Sequence, residues 1–206
     1  AIPLDEVFSL YEFDQQLRRE IFNLIEIFEV SFKTQVVNYL TLLYNSPFAH
    51  LNRKNYTEFE NFKYIKSTIE KIELRAYKND KYAHDFFKNY SNESNLPFWI
   101  ISEALNFSEF INLFQSLTRQ LRTNIATIYG INSGVLNNWL VTYKIMRNIC
   151  AHNNVLWNYY SFQKRTNYQN RRYKSIAIAY KKTAVQQDAQ IWNTIFSLKY
   201  LFSQAN

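Results

Sequence analysis

In 206 residues this chain has only two glycines and three prolines. So few backbone breakers cannot supply the many tight turns that a sandwich or barrel of short strands requires. The apolar residues must then be buried by helices packed on one another. The expected fold is all-α: a bundle of long antiparallel helices, with at most a minor β element near residues 175–180. Hydrophobic residues make up 47% of the chain and aromatics 18%, ample for a core, and the length suits one domain over residues 1–206. No run of roughly 18 uncharged apolar residues occurs, so neither a transmembrane segment nor a membrane partner is expected. No secretory signal is seen at the start. The single cysteine, Cys150, cannot form an intramolecular disulfide and is compatible with a reducing compartment, so the expected location is cytoplasmic.

Helical periodicity divides the chain. Residues 5–12 read as a short amphipathic helix, and Asp14 as the cap of the next. That helix extends to about Tyr44. Leu17, Ile21, Leu24, Ile25, Phe28, Phe32, Val36, Leu40 and Leu43 form its inner face, with Arg18, Arg19, Glu26, Glu29 and Lys33 on a solvated one. Thr57 with Glu60 predicts a capping box and a helix to about Tyr77, with Ile65, Ile69 and Ile72 inward. A short helix over 80–90 follows, then one from Pro97, then one capped by Ser108. This last runs past Arg119 and Arg122 to Tyr129, and Gly130 stops it. Ser133 opens a further helix. Past Asn158 the pattern loosens until a last helix over 186–202, with Ile191, Ile195, Leu198 and Phe202 inward.

Charge is divided unevenly. Residues 1–109 carry 12 Lys and Arg against 16 Asp and Glu, while residues 110–187 carry 11 Lys and Arg and no acid at all. Such a span creates positive potential and suits a polyanion. Within it, basic residues 164–182 are interleaved with Tyr159, Tyr160, Phe162, Tyr168, Tyr173 and Tyr180, a pattern that fits phosphate contacts and base stacking.

The densest stretch of the acid-free span is 147–158, Arg-Asn-Ile-Cys-Ala-His-Asn-Asn-Val-Leu-Trp-Asn. Before it, Val135, Leu136, Trp139, Leu140, Tyr143, Met146 and Cys150 recur at helical spacing. On a wheel of about 100° per residue, Arg147 falls inside that apolar arc, and arginine is rarely buried without a partner. Asn148 and His152 share a helix face. Arg147 and His152 differ by about 140°. Either the helix ends or distorts before His152, or a second copy of the helix completes the site. The latter gives a two-fold homodimer with a composite site.

The pattern Arg147-Asn148-x-x-Ala151-His152, followed by Leu156-Trp157-Asn158, resembles the Abi-like proteins of bacterial abortive infection (the AbiD and AbiF type). These belong to the HEPN superfamily of helical ribonuclease-like domains. The likeness extends to residues 10–34, to Leu96-Pro97-Phe98-Trp99 with Glu103, and to Ile128-Tyr129-Gly130, and covers roughly residues 8–160. Asn153 stands where that family usually has a second histidine, Val155 where it has an arginine, and Ser108 where it has a glycine. The resemblance implies a further helical stretch ahead of Ala1. It also implies an HEPN-like bundle acting as a metal-independent endoribonuclease, a toxin component in phage defence, with a protein or RNA antitoxin among its partners.

The residues fit that chemistry. RNA carries its own nucleophile, the 2′-OH. Histidine exchanges protons near neutral pH, and an arginine fork holds phosphate oxygens and stabilises developing charge. The candidate catalytic residues are Arg147, Asn148 and His152, with Glu103, Trp157 and Asn158 as supporting residues. Candidate RNA contacts are Arg119, Arg122, Lys144, Lys164, Arg165, Arg171, Arg172 and Lys174. No cofactor is expected. No metal site is expected either, because the three histidines and one cysteine lack paired ligand spacing. His50 and His84 read as surface or satisfied core residues, and Cys150 as core. Two other readings stay open: a non-catalytic RNA-binding module, and a partner-binding subunit of a toxin–antitoxin system.

Overall fold

The structure is a computed structural model and describes residues 3–79, 81–157 and 189–204. Among these residues it is all-α, with eight α-helices and no strand. In chain order they are α1 (Leu4–Tyr44), α2 (Phe59–Asn79), α3 (Lys81–Asn89), α4 (Phe98–Ala104), α5 (Phe107–Ser116), α6 (Arg119–Ile128), α7 (Ser133–Ala151) and α8 (Ala189–Gln204). Two 3₁₀ turns, Ala49–Leu51 and Arg53–Asn55, lie between α1 and α2. Gly130, at φ 65°, stops α6 as its conformational freedom predicts.

The chain forms two compact units: Ala1–Glu29 with Thr127–Asn206, and Val30–Ala126. The first takes its core from Ile21, Ile25 and Phe28 of α1, Leu136, Trp139, Leu140, Tyr143 and Met146 of α7, and Leu198 and Leu201 of α8, all buried. The Phe28 ring meets Tyr143 edge-on, with centroids 5.0 Å apart. Trp139 and Tyr200 meet in the same way at 6.3 Å. In the second unit, Phe32 sits edge-on to Phe110 and Phe114, and Ile65, Ile69 and Ile72 form the buried stripe of α2.

Several boundaries differ from the sequence expectation, each because a non-local partner intervenes. The short first helix and the long one after it are a single helix, and Asp14 lies inside it as a buried residue rather than a cap. Arg18 is buried too, not solvated. Thr57 makes no capping box, since its hydroxyl donates to Leu117 O at 3.1 Å and its N–H to Ser116 O at 3.1 Å. The box belongs to α5: Asn106 accepts from the Glu109 N–H at 3.0 Å, and Glu109 accepts from the Asn106 N–H at 2.9 Å, leaving Ser108 inside the helix. The helix expected over 108–129 is broken at Leu117 and Thr118. There Leu117 bridges to Tyr56 and the Thr118 N–H donates to Asn55 O at 2.8 Å. In α8 the buried residues are Thr194, Ser197, Leu198, Tyr200 and Leu201, while Ile191, Ile195 and Phe202 are half-buried. The expected element at 175–180 and the basic aromatic segment 159–182 lie outside the described residues.

Candidate functional site

α7 carries the candidate residues Arg147 and Asn148, and both its ends are defined by asparagine. Asn132 caps the start, its side chain accepting from the Val135 N–H at 2.8 Å. The C-terminus closes in a Schellman motif. The Asn154 N–H donates to Ile149 O at 3.1 Å and the Asn153 N–H to Cys150 O at 3.2 Å. Asn153 takes the left-handed position that this motif requires, at φ 54°. Asparagine tolerates that conformation better than other non-glycine residues. The helix thus ends at Ala151, and His152 is its C-cap.

His152 thus lies one residue past the helix, with its N–H still donating to Asn148 O at 3.0 Å. Arg147 is still helical, half-buried, with its guanidinium carbon 5.8 Å from the centre of the Phe22 ring on α1. Its Nε is buried and has no hydrogen-bond partner among the described residues. A buried donor left unpaired costs about 1–3 kcal/mol, which an anion bound at the guanidinium would offset. Asn148 and His152 are exposed. The last turn of α7 and its C-cap therefore carry an exposed amide, an exposed imidazole and a half-buried guanidinium with an unpaired Nε, residue types that can bind a phosphate and exchange a proton.

Sequence reading missed what holds the chain after His152. Asp14 and Arg18, i,i+4 neighbours on α1, form an ion pair at 3% and 5% exposure. The free carboxylate oxygen of Asp14 accepts two backbone N–H groups, from Leu156 at 2.9 Å and Trp157 at 2.7 Å. Arg18 donates to Asn154 O at 3.3 Å. The signal was present: continued toward the N-terminus, the inner face of Ile21, Ile25 and Phe28 passes through Arg18 and Asp14. Two charged residues on an apolar face imply a polar partner that must be buried with them.

The chain's one cysteine is inert by environment. Burial pushes the Cys150 thiol up to about 11, with the Arg18 charge opposing the shift. It is a core residue, as expected.

The sequence model of the family described as Abi-like protein matches residues 2–158. The chain belongs to the Abi-like family. No curated protein and no solved structure matches it. The Abi-like match contains all of Asp14, Arg18, Arg147, Asn148, His152 and Trp157 and stops short of the basic residues 164–182. Of the other candidates, Lys144 is half-buried on α7 and Trp157 is exposed beyond its end. Glu103, exposed on α4, and Arg119 and Arg122 on α6 belong to the second unit. Arg122 resembles Arg147 in having a buried Nε without a partner among the described residues. Asn158, Lys164, Arg165, Arg171, Arg172 and Lys174 lie outside the described residues. His84 is exposed beside Asp85, whereas His50 is buried with neither ring nitrogen hydrogen-bonded among the described residues. That overturns the expectation of a surface or satisfied histidine there. Its ring is held instead by stacking on Phe98 at 4.8 Å. Among the described residues, no three His, Cys, Asp or Glu side chains are grouped as a metal would need. No helix of the described residues is long and apolar enough to cross a membrane.

Proposed function

We propose that this Abi-like chain is an abortive-infection component of the HEPN type that cleaves RNA without a metal ion. The reading is carried by one observation: the buried, unpartnered Nε of Arg147 on a helix that ends in exposed Asn148 and His152. In this reading Arg147 binds the scissile phosphate and stabilises its developing charge. His152 takes the proton lost by the attacking 2′-OH, solvent water protonates the leaving 5′-oxygen, and Asn148 orients the phosphate. The 2′-oxygen bonds to phosphorus as the bond to the 5′-oxygen breaks. The products are a 2′,3′-cyclic phosphate and a 5′-hydroxyl. A two-fold homodimer with facing α7 helices would bring two such sets together. The basic residues of 110–187 would track the rest of the RNA backbone.

The test is end-group analysis of RNA incubated with the pure protein, with and without EDTA. Cyclic phosphate ends unaffected by EDTA are expected. Products with 3′-OH ends, or EDTA inhibition reversed by Mg²⁺, would defeat the mechanism. No cleavage, combined with RNA binding that Arg147→Lys weakens, would replace it with a non-catalytic RNA-binding module. Neither cleavage nor binding would leave a protein antitoxin or other subunit as the partner.

A further inference from the structure

The strongest unassigned feature is the buried pair on α1. We infer that Asp14 is a positioning residue for His152: it holds the backbone just after the histidine, and Arg18 holds the carboxylate in place. This inference rests on the function proposed above.

The geometry is that of a bracket around a short segment. On one side, His152 is attached to α7, whose last carbonyls are taken by the Asn153 and Asn154 N–H groups. On the other side, the N–H groups of Leu156 and Trp157 converge on a single carboxylate oxygen of Asp14. Arg18 fills the other carboxylate oxygen and reaches Asn154 O between the two. Leu156, fully buried, pins the segment from within. His152 to Val155 are the exposed residues of a segment fixed at both ends.

The pair is not placed as a stability device would be. Burying two charges costs several kcal/mol each, and an apolar pair at 14 and 18 would continue the core of α1 at no such cost. What an apolar pair cannot do is accept two backbone N–H groups from a non-helical segment. Those N–H groups need an acceptor once Leu156 is buried. A carboxylate supplies it, and the guanidinium makes a carboxylate tolerable there. Proximity effects are steep: a misplacement of about 1 Å in a reacting group can cost about a hundredfold in rate. Loosening the segment after His152 would therefore reduce turnover without removing any group that touches RNA.

The experiment uses the full chain and two substitutions, Asp14→Ala and Asp14→Asn. Asparagine keeps an oxygen acceptor for the two N–H groups and loses the charge facing Arg18, so it separates holding from charge pairing. Three readouts are compared: the imidazole NMR signal of His152, amide exchange at Leu156 and Trp157, and kcat against KM on RNA. In Asp14→Ala the two amides should lose protection and the His152 signal should shift or broaden. Signals from Tyr143 and Trp139 in the core should stay put. The expected rate loss is about a hundredfold in kcat with KM within about twofold. Asp14→Asn should recover most of the amide protection and of kcat while unfolding at lower temperature. If Asp14→Ala does not fold, Asp14→Asn with a native His152 signal but depressed kcat overturns the inference. An unmoved His152 signal in folded Asp14→Ala overturns it as well, whatever the cleavage assay shows. If wild type cleaves no RNA, the proposed function fails, and the NMR and exchange results still decide whether Asp14 positions His152.

Discussion

Tyr143 of α7 donates its hydroxyl to Ser197 Oγ of α8 at 2.7 Å, and both side chains are buried. Ser197 passes the bond on, donating to Thr194 O at 2.8 Å. The chain of bonds joins the helix that carries the site to the last helix of the same unit. Tyr143→Phe keeps the ring that meets Phe28 and removes only the link. It should cost about 1 kcal/mol, read as a lower urea midpoint with unchanged m.

His50 sets an acid limit on stability. Burial lowers its pKa from 6.5 to about 3. The unfolded chain therefore takes up a proton on this residue near pH 6.5, and the folded chain does so only near pH 3. The contribution is whole above about pH 6.5 and is lost as pH falls from there toward about 3. His50→Phe should keep a ring against Phe98 and abolish this term. Urea unfolding between about pH 6 and pH 4 should show wild type losing roughly 1.4 kcal/mol per pH unit more than the variant. Parallel curves would mean that His50 is hydrated in solution.

Asn153 tests the end of α7. At φ 54° a β-carbon is strained, and asparagine tolerates the strain better than alanine. Asn153→Gly should be neutral or stabilising by a few tenths of a kcal/mol, and Asn153→Ala destabilising by about 1 kcal/mol. Thermal unfolding of the three proteins gives the order Gly at or above Asn, then Ala.

Arg147 and His152 should separate by function. His152→Ala should abolish cleavage and leave the Kd for RNA within about threefold, because the imidazole moves protons. Arg147→Lys should lose most of the activity although the charge stays, since an ammonium lacks the planar fork. Full cleavage by His152→Ala would take the histidine out of the site.

RNA binding should weaken steeply with salt. Neutralising Arg171, Arg172 and Lys174 together should flatten the slope of log K against log salt by about 3 if each meets a phosphate. An unchanged slope would move the RNA surface to other cations, Lys144 and Arg147 first.

Much of this was legible in the sequence for a definite reason. Scarce glycine and proline, with apolar residues at helical spacing, identified the helices and nearly all of the buried face of α7, because both signals are local. The residues of the candidate motif could be named because their pattern resembles the Abi-like family, and Arg147 on an apolar arc drew attention to the same stretch. What escaped were places where a distant segment supplies the partner. Thr57 has the residue type of a cap but bonds to a carbonyl some sixty positions away. Leu117 breaks an otherwise unbroken helical pattern because Tyr56 pairs with it. Asp14 resembles a cap in one dimension and is an acceptor for Leu156 and Trp157 in three. Glu103, expected as a supporting residue, is exposed on α4 and makes no ion pair among the described residues.

The buried thiol two residues before His152 offers a natural clock. With its pKa near 11, only about one Cys150 in a thousand is thiolate at pH 8, and the folded chain shields that fraction. A maleimide or iodoacetamide therefore reacts mainly when the end of α7 opens. Because no other cysteine competes, the alkylation rate counts those openings directly. Adding RNA, or loosening Asp14, changes how often the clock ticks, and a mass spectrometer can read it without any assay of catalysis.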